Sequence, residues 1–156
     1  MRGTQYPAKS EAGPGSATPV SWPDRNVLSR EEDSMSESTA GHLSVGRRGE
    51  NLAARYLESR GLVVLSRNWR CRDGELDLVL TDGRTLIVCE VKTRTSTAFG
   101  TPAEAVSHEK AQRVRRLAHR WLNTYRVGWC ELRFDIVSVL WPPGRTPRID
   151  HLVGVF

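Results

Sequence analysis

The chain is short of the features that would place it in a membrane or an oxidising compartment. Across 156 residues no apolar run approaches the roughly 18 residues of a membrane span, and no N-terminal apolar block resembles a signal peptide. Three cysteines, Cys71, Cys89 and Cys130, are widely spaced and form no CxxC pair. An odd count without a secretion signal is expected of reduced thiols in a cytoplasmic protein, and Cys89, inside an apolar strand pattern, is expected to be plain core. His42, His108, His119 and His151 are scattered without HExxH or zinc-like spacing, which argues against a zinc site. Neither GxxxxGK[ST] nor GxGxxG is present, so nucleotide binding has no supporting motif. No residue stands out as a nucleophilic Ser or Cys, and there is no internal repeat.

Charge is unevenly distributed. Residues 1–40 hold four Lys/Arg and six Asp/Glu, whereas residues 41–156 hold nineteen and twelve, a net of +7. The tail is rich in Ser, Pro, Gly and Thr, lacks apolar periodicity, and reads as disordered. Met35 stands just before the patterned region, and translation is expected to start near it, leaving residues 1–34 outside the protein. The remainder, 44–156, reads as one domain, long enough to bury a core without disulfides. Its basic charge suits a nucleic-acid partner.

Periodicity orders this domain. "RRGENLAARYLESRG" predicts a helix over about 48–60, stopped by Gly61. "LVVLSRNWR" predicts a strand, and strands near 75–80 and 85–93 flank Asp82-Gly83, a hairpin signal. Val106, Val114, Leu117, Trp121 and Tyr125 recur at helical spacing over about 103–125. "CELRFDIVSVLW" alternates as a strand, and "IDHLVGVF" adds a short edge strand. The order α-β-β-β-α-β-β implies a mixed α/β domain with helices flanking one sheet.

The hairpin carries charge where a buried sheet would carry aliphatics. Alternation puts Glu90 and Lys92 on one face with Leu86 and Val88, and Ile87, Cys89 and Val91 on the other. A two-residue turn at Asp82-Gly83 pairs 81 with 84, setting Asp77 opposite Val88 and diagonal to Glu90 on the same face. Diagonal neighbours lie roughly 7–8 Å apart, a gap that one cation can bridge. Mg²⁺ takes hard oxygen ligands, often one or two carboxylates with waters and phosphate, and Lys92 could orient or deprotonate water or offset phosphate charge. The spacing fits equally an exposed face of solvated charges and cross-strand ion pairs. On the first helix, Glu50 shares the Ala53/Ala54/Leu57 face; it suits an inward metal site, or a first-turn glutamate favoured by the helix dipole. Lys110 falls on the Val114/Leu117/Trp121 face, while Arg113, Arg116 and Arg120 form a basic stripe suited to phosphates or to solvent. Trp69, near "RCR", suits either a partly buried core position or base stacking.

Asp77, twelve residues, then Glu90-Val91-Lys92 matches the D…ExK core of the PD-(D/E)xK nucleases. With "GRRGENLAARYLESRGL", "NWRCRDGELDLVLTDGRTLIVCEVKTR", "FGTPAEAVSHEKAQRVRRLAHRWL" and "RFDIVSV", residues 44–156 closely resemble the YraN family, itself similar to archaeal Holliday-junction resolvases. The resemblance implies a restriction-endonuclease-like fold with the metal site on the central sheet. It implies that Glu50, Asp77 and Glu90 hold Mg²⁺ or Mn²⁺ and that Lys92 is the motif lysine, with Glu75 a secondary candidate. Leu76 stands where the motif often has proline. The expectation is a metal-dependent DNA endonuclease, structure-selective toward branched DNA. Lys110, Arg113, Arg116 and Arg120 would bind the backbone, and two-strand cleavage would suit a homodimer. The alternatives are a non-catalytic nucleic-acid-binding module of the same fold and an interaction domain for an acidic protein.

Overall fold

The computed structural model describes residues 19–23, 44–98 and 107–156. Helix α1 (Val45–Ser59) leads into β1 (Val63–Cys71), β2 (Gly74–Thr81) and β3 (Thr85–Arg94), and α2 (His108–Thr124) is followed by β4 (Glu131–Leu140) and β5 (Arg148–Leu152). The element order is the one the periodicity predicts. The strands form a single sheet in the order β1-β2-β3-β4-β5. All neighbours are antiparallel except β3 and β4, which are parallel. A parallel pair needs a long crossover, and α2 lies within it. This mixed α/β architecture, a five-stranded mixed sheet with two flanking helices, is compatible with a restriction-endonuclease-like fold. No described helix is long and apolar enough to cross a membrane.

Both helices are ended by local chemistry. Ser44 caps α1, accepting from Arg47 N–H, and Ser107 caps α2, accepting from Lys110 N–H. At the end of α1, Gly61 takes φ +86°, Gly61 N–H donates to Glu58 O and Leu62 N–H to Leu57 O, a closure that needs a left-handed residue. The α2 segment expected at 103–106, including Val106, lies outside the described residues, as do Met35 and all of the 1–40 tail except 19–23. Within 19–23, Val20 and Trp22 pack against the α2-side core, and Trp22 Nε1 donates to Gly83 O at 3.1 Å.

Strand alternation divides the core between two faces. Ala53, Ala54 and Leu57 of α1 bury against Leu78, Leu80, Ile87, Cys89, Val137 and Val139. Leu117, Ala118 and Trp121 of α2 bury against Leu65, Val79, Leu86, Val88 and Phe134 on the other side. Trp121 is fully buried, and its indole N–H donates to Ser66 Oγ at 2.9 Å, which satisfies both polar groups. Trp69 is partly buried against the same cluster, in the core position. Cys89 is buried and all three cysteines are free thiols.

The hairpin register departs from expectation. Thr81 pairs with Leu86 and Leu78 with Cys89, so the connection is a four-residue loop over 82–85. The reason lies in side chains. Asp82 Oδ1 accepts from Arg84 N–H (3.0 Å) and Thr85 N–H (2.9 Å), while Thr81 Oγ1 donates to Thr85 O and accepts from Gly83 N–H. These bonds build a wider loop than a bare Asp-Gly turn. The shift moves each partner by two residues, so the faces of Glu90 and Lys92 are unchanged.

Candidate active site

The β2–β3 ladder runs only from Thr81↔Leu86 to Leu78↔Cys89 and stops one residue short of Asp77. Beyond it Val91 N–H donates to Asp77 Oδ2 at 2.9 Å, so the aspartate side chain takes the place of a strand carbonyl. On the other side of β2, the β1–β2 pairing steps from Arg67↔Leu78 to Trp69↔Leu76, with Asn68 between them at φ +50°. Leu76 and Val79 both belong to the α2-side cluster, while Leu78 belongs to the α1 side. Two residues that strict alternation would separate thus share a face, and β2 is irregular at Asp77.

Glu90 and Lys92 follow the predicted alternation and face α2. Glu90 Oε1 lies 2.9 Å from Lys92 Nζ and 2.7 Å from Lys110 Nζ. Lys110 lies on the packing side of α2, as the helical repeat predicts; it reaches from the first turn of α2 onto the sheet, and its side chain is only 20% exposed. Asp77, Glu90, Glu75, Lys110 and Arg113 surround one cavity of about 110 Å³ whose apolar lining includes Val88, Val114, Phe134 and Phe156. Glu75 is exposed and paired with Arg70 at 3.1 Å. Arg116 is exposed, and Arg120 is bound to Asp73 at 2.6 Å. Of the expected stripe, only Arg113 stands at the cavity.

Glu50 enters from the opposite face. Because α1 starts at Val45, Glu50 lies beyond the first turn, where the helix dipole has faded; that explanation for it falls. Its charge acts on Asp77 and raises that carboxyl. Gly49, which the sequence reading passed over, makes this approach feasible. A β-carbon there would lie 1.9 Å from Thr93 Oγ1 and 2.8 Å from Thr93 Cβ, so α1 sits against β3 one residue past Lys92 only because position 49 has no side chain.

The electrostatics separate the two central carboxylates. Burial is the main cause that raises the Asp77 carboxyl above its usual range. The Val91 N–H offsets part of this, and the charges of Glu50, Glu90 and Glu75 add to the rise. Glu90 is the reverse: burial would raise it, but hydrogen bonds from Lys110 and Lys92 outweigh burial and hold it below the usual range. Lys92 is raised, chiefly by its hydrogen bond to Glu90. Asp77 is thus a half-buried carboxylate repelled by three others; the Lys92 ammonium attracts it, but among the described residues no ammonium or guanidinium pairs with it directly. Among the described residues no three His, Cys, Asp or Glu side chains converge closely enough to hold a metal ion. The donor set on offer is the Asp77–Glu90 pair, with Glu50 supplying longer-range charge.

A second charged cluster lies beside the first, and the sequence reading missed it. Asp135, its side chain fully buried, accepts from Arg133 Nε (3.0 Å) and Nη2 (2.9 Å) and from Gly154 N–H (3.0 Å), and is hydrogen-bonded with His151 Nε2 (2.9 Å). Burial alone would raise its carboxyl; these partners outweigh burial and hold it low. The cluster ties the residues after β5 to β4. Val155 N–H then donates to Phe134 O, and the Phe156 ring stacks on Phe134 at 4.8 Å, forming part of the cavity wall. The only sequence signal was the Arg133-x-Asp135 spacing, which puts both side chains on one strand face.

Comparison with known proteins places this geometry in a family. The model of "Uncharacterised protein family UPF0102" matches residues 49–139, a span from Gly49 through Asp77, Glu90, Lys92 and Lys110 into β4. A UPF0102 protein of Nocardia farcinica is 54% identical over 113 residues, 72% of this chain and 89% of that one. One from Frankia alni is 53% identical over 113 residues, covering 72% and 94%, and one from Nocardioides sp. is 47% identical over 123 residues, covering 78% and 99%. The chain belongs to the UPF0102 family, the YraN-like family that its motifs resemble.

Proposed function

We propose that this protein is a divalent-metal-dependent DNA endonuclease whose site is built on Asp77, Glu90, Lys92 and Glu50, with Mg²⁺ or Mn²⁺ as the metal. The observation that carries the reading is the state of Asp77. A half-buried carboxylate held next to Glu90 and repelled by Glu50, Glu90 and Glu75 costs stability unless a cation compensates it. Hard oxygen donors from two strands suit Mg²⁺, which retains waters and substrate phosphate as its remaining ligands. The fit is therefore to a two-carboxylate site on Asp77 and Glu90, with Glu50 adding charge. A metal bound there would supply Lewis-acid stabilisation of phosphoryl charge and a lowered pKa for bound water.

The chain's own residues would do the rest. Val91 N–H fixes the orientation of Asp77. Lys92, protonated and beside Glu90, would offset negative charge on the phosphate rather than act as a base in this arrangement. Arg113 at the cavity rim and exposed Arg116 are placed for phosphate contacts, which position a backbone without reading its sequence. Such contacts are compatible with selection of branched DNA by shape, and a homodimer would suit the cutting of two symmetric strands.

The test compares wild type with Glu90→Ala on labelled linear, flapped and four-way-junction DNA, with Mg²⁺, Mn²⁺ or EDTA, after both proteins are shown to fold. Metal-dependent cutting that vanishes in the variant is the expected result. Salt-sensitive binding by both proteins without cutting by either would refute the nuclease and favour a binding module of the same fold.

A further inference from the structure

Glu90 binds its two ammonium groups on the same atom. Lys92 Nζ at 2.9 Å and Lys110 Nζ at 2.7 Å both lie on Oε1. A carboxylate oxygen offers about two lone-pair sites, so Oε1 has no capacity left for a further partner. Two like charges are also held close to each other and to the place where a metal would contact Glu90. The two lysines differ in origin. Lys92 is on the same strand and face as Glu90, two residues away, and is carried wherever Glu90 goes. Lys110 comes from α2, a separate element, on a flexible four-carbon stem. It stands at the rim of the same cavity as Arg113, where substrate phosphate would lie.

We propose that Lys110 is an exchangeable internal counter-ion: it neutralises Glu90 in the metal-free protein, gives up Oε1 when a divalent cation binds, and turns to the phosphate of the nucleic acid. The inference rests on the reading of Asp77 and Glu90 as a metal site and adds a regulation to it. Charge is matched at the end of the exchange, because the divalent cation meets both Asp77 and Glu90 and the released ammonium meets the incoming phosphate. Metal and DNA binding are thereby coupled in the same direction, and the coupling is reciprocal. Lys110 is a positioning residue in this scheme, since it acts through Glu90 and the phosphate rather than on the reacting atoms.

The experiment is calorimetric titration of the full chain with Mn²⁺ alone, without DNA, for wild type, Lys110→Gln and Arg113→Gln. Arg113 lines the same cavity but has no ion pair to Glu90, so its variant removes an equal charge without freeing Oε1. Lys110→Gln is expected to bind Mn²⁺ tighter by on the order of tenfold, within the ordinary range of site coupling, and Arg113→Gln by clearly less. Equal tightening in both variants means a general field effect and overturns the exchange. Unchanged or weaker binding in Lys110→Gln does so too. A second measurement follows the lysine ammonium NMR signals of the wild-type protein during Mg²⁺ titration, assigned by their loss in Lys110→Arg and Lys92→Arg. The Lys110 signal should broaden or vanish at saturation while that of Lys92 persists; persistence of both overturns the proposal. Absence of Mn²⁺ binding in every protein, including wild type, overturns the metal site itself and is distinguishable from all of these.

Discussion

Replacing Gly49 by alanine tests whether the seat of α1 on β3 holds the site together. The added β-carbon would lie 1.9 Å from Thr93 Oγ1 and 2.8 Å from both Cβ and Cγ2 of the same residue. Rotating Thr93 cannot relieve the contact, because its own Cβ is already too close and branched side chains are stiff about χ1. The helix must retreat. Forcing a methyl into a packed contact costs about 1–3 kcal/mol, and alanine in a helix returns up to about 1 kcal/mol over glycine. The net expectation is a loss of up to about 2 kcal/mol relative to wild type, which for a domain of this size lowers the melting temperature by up to roughly 8 °C. Gly46 in the same helix supplies the control, since a β-carbon there meets nothing nearer than Ser44 Oγ at 3.9 Å. Gly46→Ala should be neutral or mildly stabilising. Thr93→Ala in the Gly49→Ala background removes the 1.9 Å contact but leaves that to Cβ, so it should recover part of the loss. Urea unfolding of the four proteins by circular dichroism reads these differences, and Mn²⁺ affinity reads the displacement of Glu50. If Gly49→Ala is as stable as Gly46→Ala, α1 does not rest on Thr93 and the account of Glu50's placement fails.

Two further predictions concern buried charge. Because the folded-state carboxyl of Asp77 is raised, chiefly by burial, the unfolded chain releases that proton first. Stability therefore falls as pH rises from about 4, the unfolded value, through the raised folded value. Asp77→Asn keeps an acceptor for Val91 N–H and removes the charge, so without metal it should be more stable than wild type at pH 7 and close to it at pH 3. A variant less stable at pH 7 would contradict this. Asp135 has the opposite sign: its folded carboxyl is held low against burial by Arg133, Gly154 N–H and His151, so its contribution is present above about pH 4 and is lost as pH falls through the folded value. Asp135→Asn should cost about 3 kcal/mol at pH 7, the low end for breaking a buried pair because Arg133 is partly solvated. Urea midpoints measured from pH 7 to 2.5 should show the gap to wild type closing in acid; a constant gap would refute the argument.

The sequence by itself determined what depends on periodicity. Alternation in "TLIVCEVKTR" assigned Glu90 and Lys92 to one face and Cys89 to the other, and the 3.6-residue repeat of α2 put Lys110 on its apolar side. The element order followed from the same two periods, because the burial of one strand face or one helix stripe is a local property of the chain. Only the tertiary structure decided which charges meet. Lys110 lies on Glu90 because α2 packs across the sheet at that height, and Gly49 matters because β3 presents Thr93 to α1. The hairpin register was set by the side chains of Asp82 and Thr81 rather than by the Asp-Gly pair. The Asp135 cluster draws on β4, β5 and the residues beyond, which no spacing in the sequence connects. Faces are encoded within one element, whereas a site is made between elements, where the distance separating two side chains depends on the packing of everything that lies between them.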